Sequence, residues 1–360
     1  MSIHRRAAGL ALVGAIAGFL GSSAAPATAA APDFPNKDSR YHNYPEMVDE
    51  IHAVEAAHPD IVSVFSIGNS DRGREIWAAK VSDHVGTDED EPEVLFDAAH
   101  HADEHLTVEQ ALYLFHTLAE DYGDAPKVTR LVNTREIWII FMLNPDGAQF
   151  DLGGDPYRDW RKNRQSNPGS SHVGTDLNRN YGYKWACCGG SSTNPASETY
   201  RGSEPFSATE TRALADFVDS RVIGGVQQIR THMTLHANGE LILYPWAYTR
   251  RNLPGPMTKA DRAVFSAMAH DMADTNGYRV KQSAEWYITD GDQIDWMYAE
   301  HHIFSFTLEL YPALGTVNHY PADEKIAKQT SRNRAALLYL IDLADCPYRA
   351  SGHEERCAPD

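Results

Sequence analysis

The chain has 360 residues, with 50 Asp and Glu against 32 Lys and Arg, and a formal net charge of −18 at neutral pH. A field of that sign repels nucleic acid and anionic membrane, so neither is expected as a partner through net charge. The length permits two domains but suits a single α/β domain equally well, and such a chain buries a large core without needing disulfides to hold it.

The first segment is not expected to belong to the fold. His4-Arg5-Arg6 precedes an apolar run from Ala7 to Leu20. A small-residue stretch follows, in which Ala27-Thr28-Ala29 and Ala29-Ala30-Ala31 fit a small-x-small cleavage pattern. This is the anatomy of a secretory signal peptide, which predicts that residues 1–31 are removed on export and that residues 32–360 form the folded protein. The run falls short of the about 20 apolar residues of a spanning helix, so no membrane association is expected after cleavage. Losing Arg5 and Arg6 moves the charge from −18 to −20.

Further along, apolar runs bounded by polar turns predict strands at Glu93–Ala98, Glu136–Leu143, Met233–Leu235 with its neighbours, and Phe304–Leu308. Helical spacing of Leu112, Phe115 and Leu118 predicts a helix over Leu106–Tyr122. Ser207-Ala208-Thr209-Glu210 reads as a capping box opening a helix to Val218. Lys259–Asn276 and Thr330–Leu343 read as two more helices. Strands alternating with helices predict an α/β sheet covered on both faces. Two long stretches rich in Gly, Ser, Asn and Pro, Leu152–Ser171 and Cys187–Pro205, interrupt the pattern, and loops of that length in a compact domain are usually functional. The four cysteines, Cys187, Cys188, Cys346 and Cys357, lack the CxxC spacing of a zinc site and are expected to pair outside the cell, in any of three ways.

His101-Ala102-Asp103-Glu104 lies just after one strand and just before a helix, at the kind of carboxyl-terminal strand end that opens into a ligand crevice. A His and a Glu three apart can face one metal ion, and catalytic zinc often takes two His and one Glu, leaving a place for water. Alone, HxxE is a weak signal in a chain with 17 histidines, and a solvated polar loop explains it as well. His236, at the end of another strand, is a candidate third ligand, with His100, His105 and His232 competing. Arg161, Arg164, Asn178 and Arg179 sit in or beside the long loops, where Arg-containing pairs are suited to clamping a carboxylate. Asp176 is placed to accept the N–H of a ligating His. Glu309 closes a buried strand, where a carboxylate is either paired or poised for proton transfer.

Together, the stretches HADEHLTVE, NPDGAQFD, WRKNRQSNPGSS, VGTDLNRNYGYKWACCGGSS, SETYRG, LHANGELILYPW, WYITDGDQIDW and FSFTLELYP resemble the zinc metallocarboxypeptidases of the carboxypeptidase A type, and most of all the bacterial carboxypeptidase T branch. The resemblance covers nearly all of the chain after its first segment. It implies a single α/β domain with a mixed eight-stranded sheet and helices on both faces, acting on the C-termini of peptides and proteins. It makes His101, Glu104 and His236 the zinc ligands, Glu309 the general base and Arg161 the group that polarises the scissile carbonyl. Asn178 and Arg179 become the clamp for the terminal carboxylate, Arg164 the remaining arginine of the site, Tyr287 the tyrosine that closes over substrate, and Asp176 the partner of the first His. Ile294 implies a pocket for apolar or aromatic C-terminal residues, and Asp292 additional acceptance of Lys and Arg. Structural Ca2+ is implied at Asp88, Glu89, Glu91, Glu93 and Glu136 and at Ser39, Tyr41 and Glu46, although a merely solvated charge run also explains the acidic stretch. A secreted monomer is expected. Asp103 departs from the family pattern, which has Arg there to contact the substrate backbone, and no long pro-region follows the signal. The competing readings are a zinc amidase or deacylase of acylated amino acids and a peptide-binding protein without catalysis.

Overall fold

A computed structural model describes residues 31–315 and 319–357; the predicted signal segment and its cleavage site lie essentially outside the described residues. Residues from Pro32 onward form one compact unit. Its strands are β1 (Val62–Asn69), β2 (Glu75–Val81), β3 (Glu93–Ala98), β4 (Glu136–Ile140), the short hairpin β5 (Val222–Ile223) and β6 (Val226–Gln227), β7 (Ile229–Gly239), β8 (Leu241–Tyr244), β9 (Arg279–Gln282) and β10 (Phe304–Ala313). The helices are α1 (Tyr44–Ala57), α2 (Leu106–Glu120), α3 (Pro126–Val132), α4 (Pro145–Asp151), α5 (Thr209–Ser220), α6 (Lys259–Asn276), α7 (Ser283–Trp286), α8 (Gln293–His301), α9 (Ile326–Ser331) and α10 (Arg334–Asp342).

Apart from the hairpin, the strands form one sheet in the order β1-β2-β4-β3-β7-β10-β8-β9. The central run β4-β3-β7-β10 is parallel, while β1, β2 and β4 pair antiparallel and β8 lies antiparallel to β10. This is the mixed eight-stranded sheet that the resemblance implied. Every residue of β3 and β4 is buried, as expected for parallel strands covered on both faces. One apolar cluster, including Phe96, Phe115, Phe141, Phe265 and Phe306, fills one face of the sheet, and a second, including Leu95, Trp138, Tyr181, Leu214 and Met297, fills the other.

Several predicted boundaries change. The predicted strand Met233–Leu235 is the middle of an eleven-residue β7. The capping box at Ser207 does not form: α5 starts after Ala208, with no side-chain cap. Ser207 Oγ instead accepts from Asn180 Nδ2, and Glu210 reaches outward to the Asp71 amide and to Asn163 Nδ2. Tertiary partners outcompete the local motif there. The single helix predicted from Thr330 to Leu343 is divided between α9 and α10 around Asn333, whose buried amide bridges Gln110, Gln329 and Asn276. Both cysteine pairs are joined, Cys187 to Cys188 and Cys346 to Cys357. Among the described residues no helix is long and apolar enough to cross a membrane.

Candidate active site

The site lies where the parallel strands end. His101 and Glu104 sit on the turn between β3 and α2, a turn tied down by Ala102 N–H donating to Arg161 O at 2.9 Å. His236 lies near the carboxyl end of β7, and β10 places Glu309 directly beside it in register. All four residues are at least nine-tenths buried.

His101 Nδ1 is 2.7 Å from Glu104 Oε1, and His236 Nδ1 is 3.0 Å from Glu104 Oε2; the two Nδ1 atoms stand 3.1 Å apart. Ligand nitrogens around one tetrahedral zinc, with Zn–N bonds of about 2.0 Å, are separated by about 3.3 Å. Two imidazole nitrogens and one carboxylate drawn this close in a buried site therefore fit a divalent ion as their common partner. Burial, the strongest influence, holds His236 down at about 4, so its imidazole is neutral as a ligand must be. For His101, burial and Arg161 push downward, but Glu104 and Asp176 outweigh them.

Behind this trio, Asp176 ties the site together. Its Oδ1 faces His101 Nε2 at 3.2 Å and accepts from the Asn178 amide at 3.0 Å, while its Oδ2 accepts from Arg161 Nε at 3.1 Å. Burial opposes its charge, but Arg161 and Arg179 hold the carboxyl well below the usual carboxylate range. Arg161 Nη1 approaches Glu104 Oε1 at 3.8 Å, which puts a guanidinium at the edge of the metal position.

Asn178 and Arg179, the expected clamp, follow on the short 3-10 turn Leu177–Arg179, opened by Asp176 as its cap. Asn178 Oδ1 accepts from the Gln293 amide, which leaves its Nδ2 as the donor for a ligand. Arg179 is braced from two sides, Nη1 donating to Asn178 O and Nε to Gly190 O, and its guanidinium stands 5.9 Å from the ring centre of Tyr287. Tyr287 is 43% exposed, at the mouth of the site. Asp292 and Ile294 are buried at the start of α8; Asp292 caps that helix through the Ile294 amide and accepts from Thr289 Oγ1. Burial raises the Asp292 carboxyl despite nearby Arg179. Glu309 is pushed well above the ordinary carboxylate range, first by burial and then by the Glu104 carboxylate, whereas a bound dication acts in the opposite direction.

Arg164 is placed differently from the rest. Its guanidinium stacks 3.3 Å from the ring centre of Phe150 and 4.6 Å from that of Trp160, and its charged neighbours are Arg72, Arg158 and Asp146 rather than groups of the site. Burial, with those two arginines, lowers it to about 10. His100 and His232, the competing histidines, bind Asp97 beneath the site, and His105 binds Asp151.

The structure also changes the reading of the acidic stretch. Asp88, Glu93 and Glu136 do converge, but Arg221 enters among them, with Nη2 at 2.5 Å from Glu93, 2.7 Å from Asp88 and 3.6 Å from Glu136, and Lys80 Nζ is 2.6 Å from Glu136. Two side-chain cations thus supply the countercharge that calcium was expected to supply. The Glu89 carboxylate lies with Asp83 and His84 while its amide donates to Glu136 Oε1, and burial, followed by the neighbouring carboxylates, raises Glu91 to about 7. In the second proposed calcium group, Glu46 closes the capping box of α1 and Tyr41 donates to Pro321 O.

Asp290 was not singled out from the sequence. It accepts from the Cys188 and Gly190 amides and from Ser191 Oγ, pinning the disulfide-bearing loop against Arg179. The close approach is backbone to backbone: a Cβ on Gly190 would meet Thr289 at 2.4 Å, and one on Gly291, at φ +65°, would meet Arg179 O at 2.4 Å. The glycines of GGSS and DGD were the available signal, but proximity to Arg179 is visible only in the fold.

An α/β sheet with two His and one Glu converging at its strand ends, beside an Asn-Arg pair, is an arrangement suited to holding a divalent metal ion. A family model described as zinc carboxypeptidase matches residues 47–336, and the chain belongs to that family of zinc metallopeptidases. A zinc carboxypeptidase of Saccharothrix mutabilis subsp. capreolus is 44% identical over 320 residues, covering 89% of this chain and 73% of that protein. Carboxypeptidase A1 of Rattus norvegicus is 33% identical over 273 residues, covering 75% of this chain but 62% of the relative, so less than two thirds of that longer protein is matched. Among solved structures, thrombin-activatable fibrinolysis inhibitor superposes with a TM-score of 0.76 at 26% identity, over 84% of this chain and 74% of that one. Carboxypeptidase A of Helicoverpa armigera, at 22% identity and a TM-score of 0.74 over 87% of this chain and 74% of that one, shares the fold.

Proposed function

We propose that the chain is an exported carboxypeptidase that hydrolyses the last peptide bond of peptides and proteins, preferring apolar or aromatic C-terminal residues and also accepting Lys and Arg. The observation that carries this reading is the convergence of His101, Glu104 and His236 beside the braced pair Asn178 and Arg179. The relatives named as carboxypeptidases support it.

His101, Glu104 and His236 would hold a zinc ion, which would supply Lewis acidity and lower the pKa of a water at the site toward neutrality. Glu309, in register beside His236, takes the proton from the attacking water and delivers it to the leaving amine. Arg161 offers its guanidinium to the oxygen that gains negative charge, and Asp176 holds it in position for that role. Asn178 and Arg179 bind the free terminal carboxylate through charge-assisted hydrogen bonds, so only the last bond of a chain comes into register with the catalytic groups. Tyr287 covers the bound substrate. Ile294 supplies an apolar floor for the terminal side chain, and Asp292 a carboxylate for a basic one. Calcium has no part in this reading, because Arg221 and Lys80 already neutralise the acidic cluster. Export rests on the signal pattern in residues 1–31.

The test is release of the terminal residue from N-blocked dipeptides ending in Phe, Leu, Lys or Arg, with and without chelator. Release of Phe and Leu fastest, abolished by chelator and absent for C-terminally amidated analogues, is expected. Chelator-insensitive release, or equal cleavage of the amides, rejects the proposal.

A further inference from the structure

One residue before the ligand Glu104, Asp103 takes part in a second group of metal-type donors. The geometry points to a second divalent-cation site at the rim of the active site, formed by Asp103, Asp159 and His319 and suited to zinc. Each of the three offers a ligand atom, and these atoms lie within 4.8 Å of one another. They come from three distant parts of the chain: the β3–α2 turn, the loop after α4 and the segment after β10. His319 Nδ1 is 2.7 Å from Asp103 Oδ2.

An ion pair between His319 and Asp103 accounts for one carboxylate oxygen and leaves the other unexplained. Asp103 is 3% exposed, yet its Oδ1 is buried with no hydrogen-bond partner, while the Asp159 carboxylate stands at the surface beside it. A buried carboxylate oxygen without a partner is costly, and an ion approaching from the exposed Asp159 side removes that cost. The donor chemistry agrees. One imidazole with two carboxylates is a mixed nitrogen and oxygen set that suits zinc better than calcium or magnesium, and two carboxylates balance the charge of a dication. The ion takes the place of the proton that His319 carries when it pairs with Asp103. Half-open to solvent and without a third protein donor of the quality of His236, this site binds more weakly than the buried one. When loaded, it cancels the negative charge that Asp159 leaves beyond the His319–Asp103 ion pair, so the supply of free zinc alters how a peptide is received at that lip.

Equilibrium dialysis of the full chain against increasing free zinc, with elemental analysis, tests this independently of catalysis. The wild type is expected to take up a tight first ion and a weaker second one. Asp159→Asn and His319→Gln, at an exposed and a half-buried position, are expected to weaken the second by about tenfold or more while leaving the first unchanged. His236→Ala is expected to lose the first and keep the second, which separates this site from the catalytic one. Saturation of the wild type at one ion per chain, or an unchanged second ion in both variants, overturns the inference.

Discussion

Asp176 shows how one side chain sets the geometry of its neighbours. The same carboxylate fixes the ring of His101, starts the turn that carries Asn178 and Arg179, and anchors Arg161. Asp176→Asn keeps the shape but loses the charge that opposes Arg161 and supports the imidazole. Zinc affinity, read by chelator competition, is expected to fall by about 10- to 100-fold, with kcat/KM falling alongside; unchanged affinity removes Asp176 from this role. Glu309→Gln is expected to retain zinc while turnover drops by about 10²–10⁴-fold, because proton transfer is lost and the ligands are not. Normal turnover in that variant refutes the general-base assignment. The convergence of His101, Glu104 and His236 was legible in the sequence because they stand at or just beyond the ends of strands that can be read from apolar runs, although a choice among five histidines needed the resemblance. Arg164 was misread for a related reason: nothing local distinguishes an arginine that faces a ligand from one stacked between Phe150 and Trp160.

At the scale of elements, motifs failed where distant partners decided the outcome. Ser207 and Glu210 carry the spacing of a cap but spend their hydrogen bonds on Asn180, Asn163 and Asp71. Likewise Asn333 interrupts what the apolar spacing predicts as one helix, since its amide is committed to Gln110 and Asn276. Asn333→Ala strands those buried amides and is expected to lower unfolding free energy by about 1–3 kcal/mol, measured by urea denaturation; a change below about 0.5 kcal/mol contradicts the account. Gly291→Ala forces Arg179 and the Asp290 turn apart. A rise in KM for peptides with a free carboxylate, with the first zinc ion retained, is the expected result, and unaltered kinetics refute the bracing role of that turn. Among the main strands, β1, β2, β8 and β9 were not predicted: β1 is mostly half-buried, and β8 and β9 have only four residues each, so none of these three gives a long apolar run.

For the whole molecule, the sheet carries a buried polar layer beneath its site. Asp97 lies between His100 and His232 at 3.1 and 2.5 Å and also accepts from Thr234 and Gln293. Burial opposes its ionisation, but the two histidines outweigh it and hold Asp97 far below the usual carboxylate range. A carboxyl whose pKa is lower folded than unfolded stabilises the fold fully above its unfolded pKa of about 3.9, and that stability drains away as pH falls toward the folded value. Urea midpoints are therefore expected to fall steeply below about pH 4, and Asp97→Asn to be flatter there; parallel curves for the two proteins contradict the assignment. The fold class and the strand ends that bring His101, Glu104 and His236 together could be read from the chain, whereas this layer could not, because its members are scattered across two strands, the turn after β3 and one helix.

The account depends on three side chains sharing one ion. The most direct measurement is the zinc content of the folded wild type and of His236→Ala after dialysis against a weak chelator, with circular dichroism confirming that both are folded. One tightly held ion per chain in the wild type, and loss of that ion in the variant, is the predicted result. A folded wild type that cleaves peptides without metal, or a His236→Ala protein that keeps the tight ion, contradicts it.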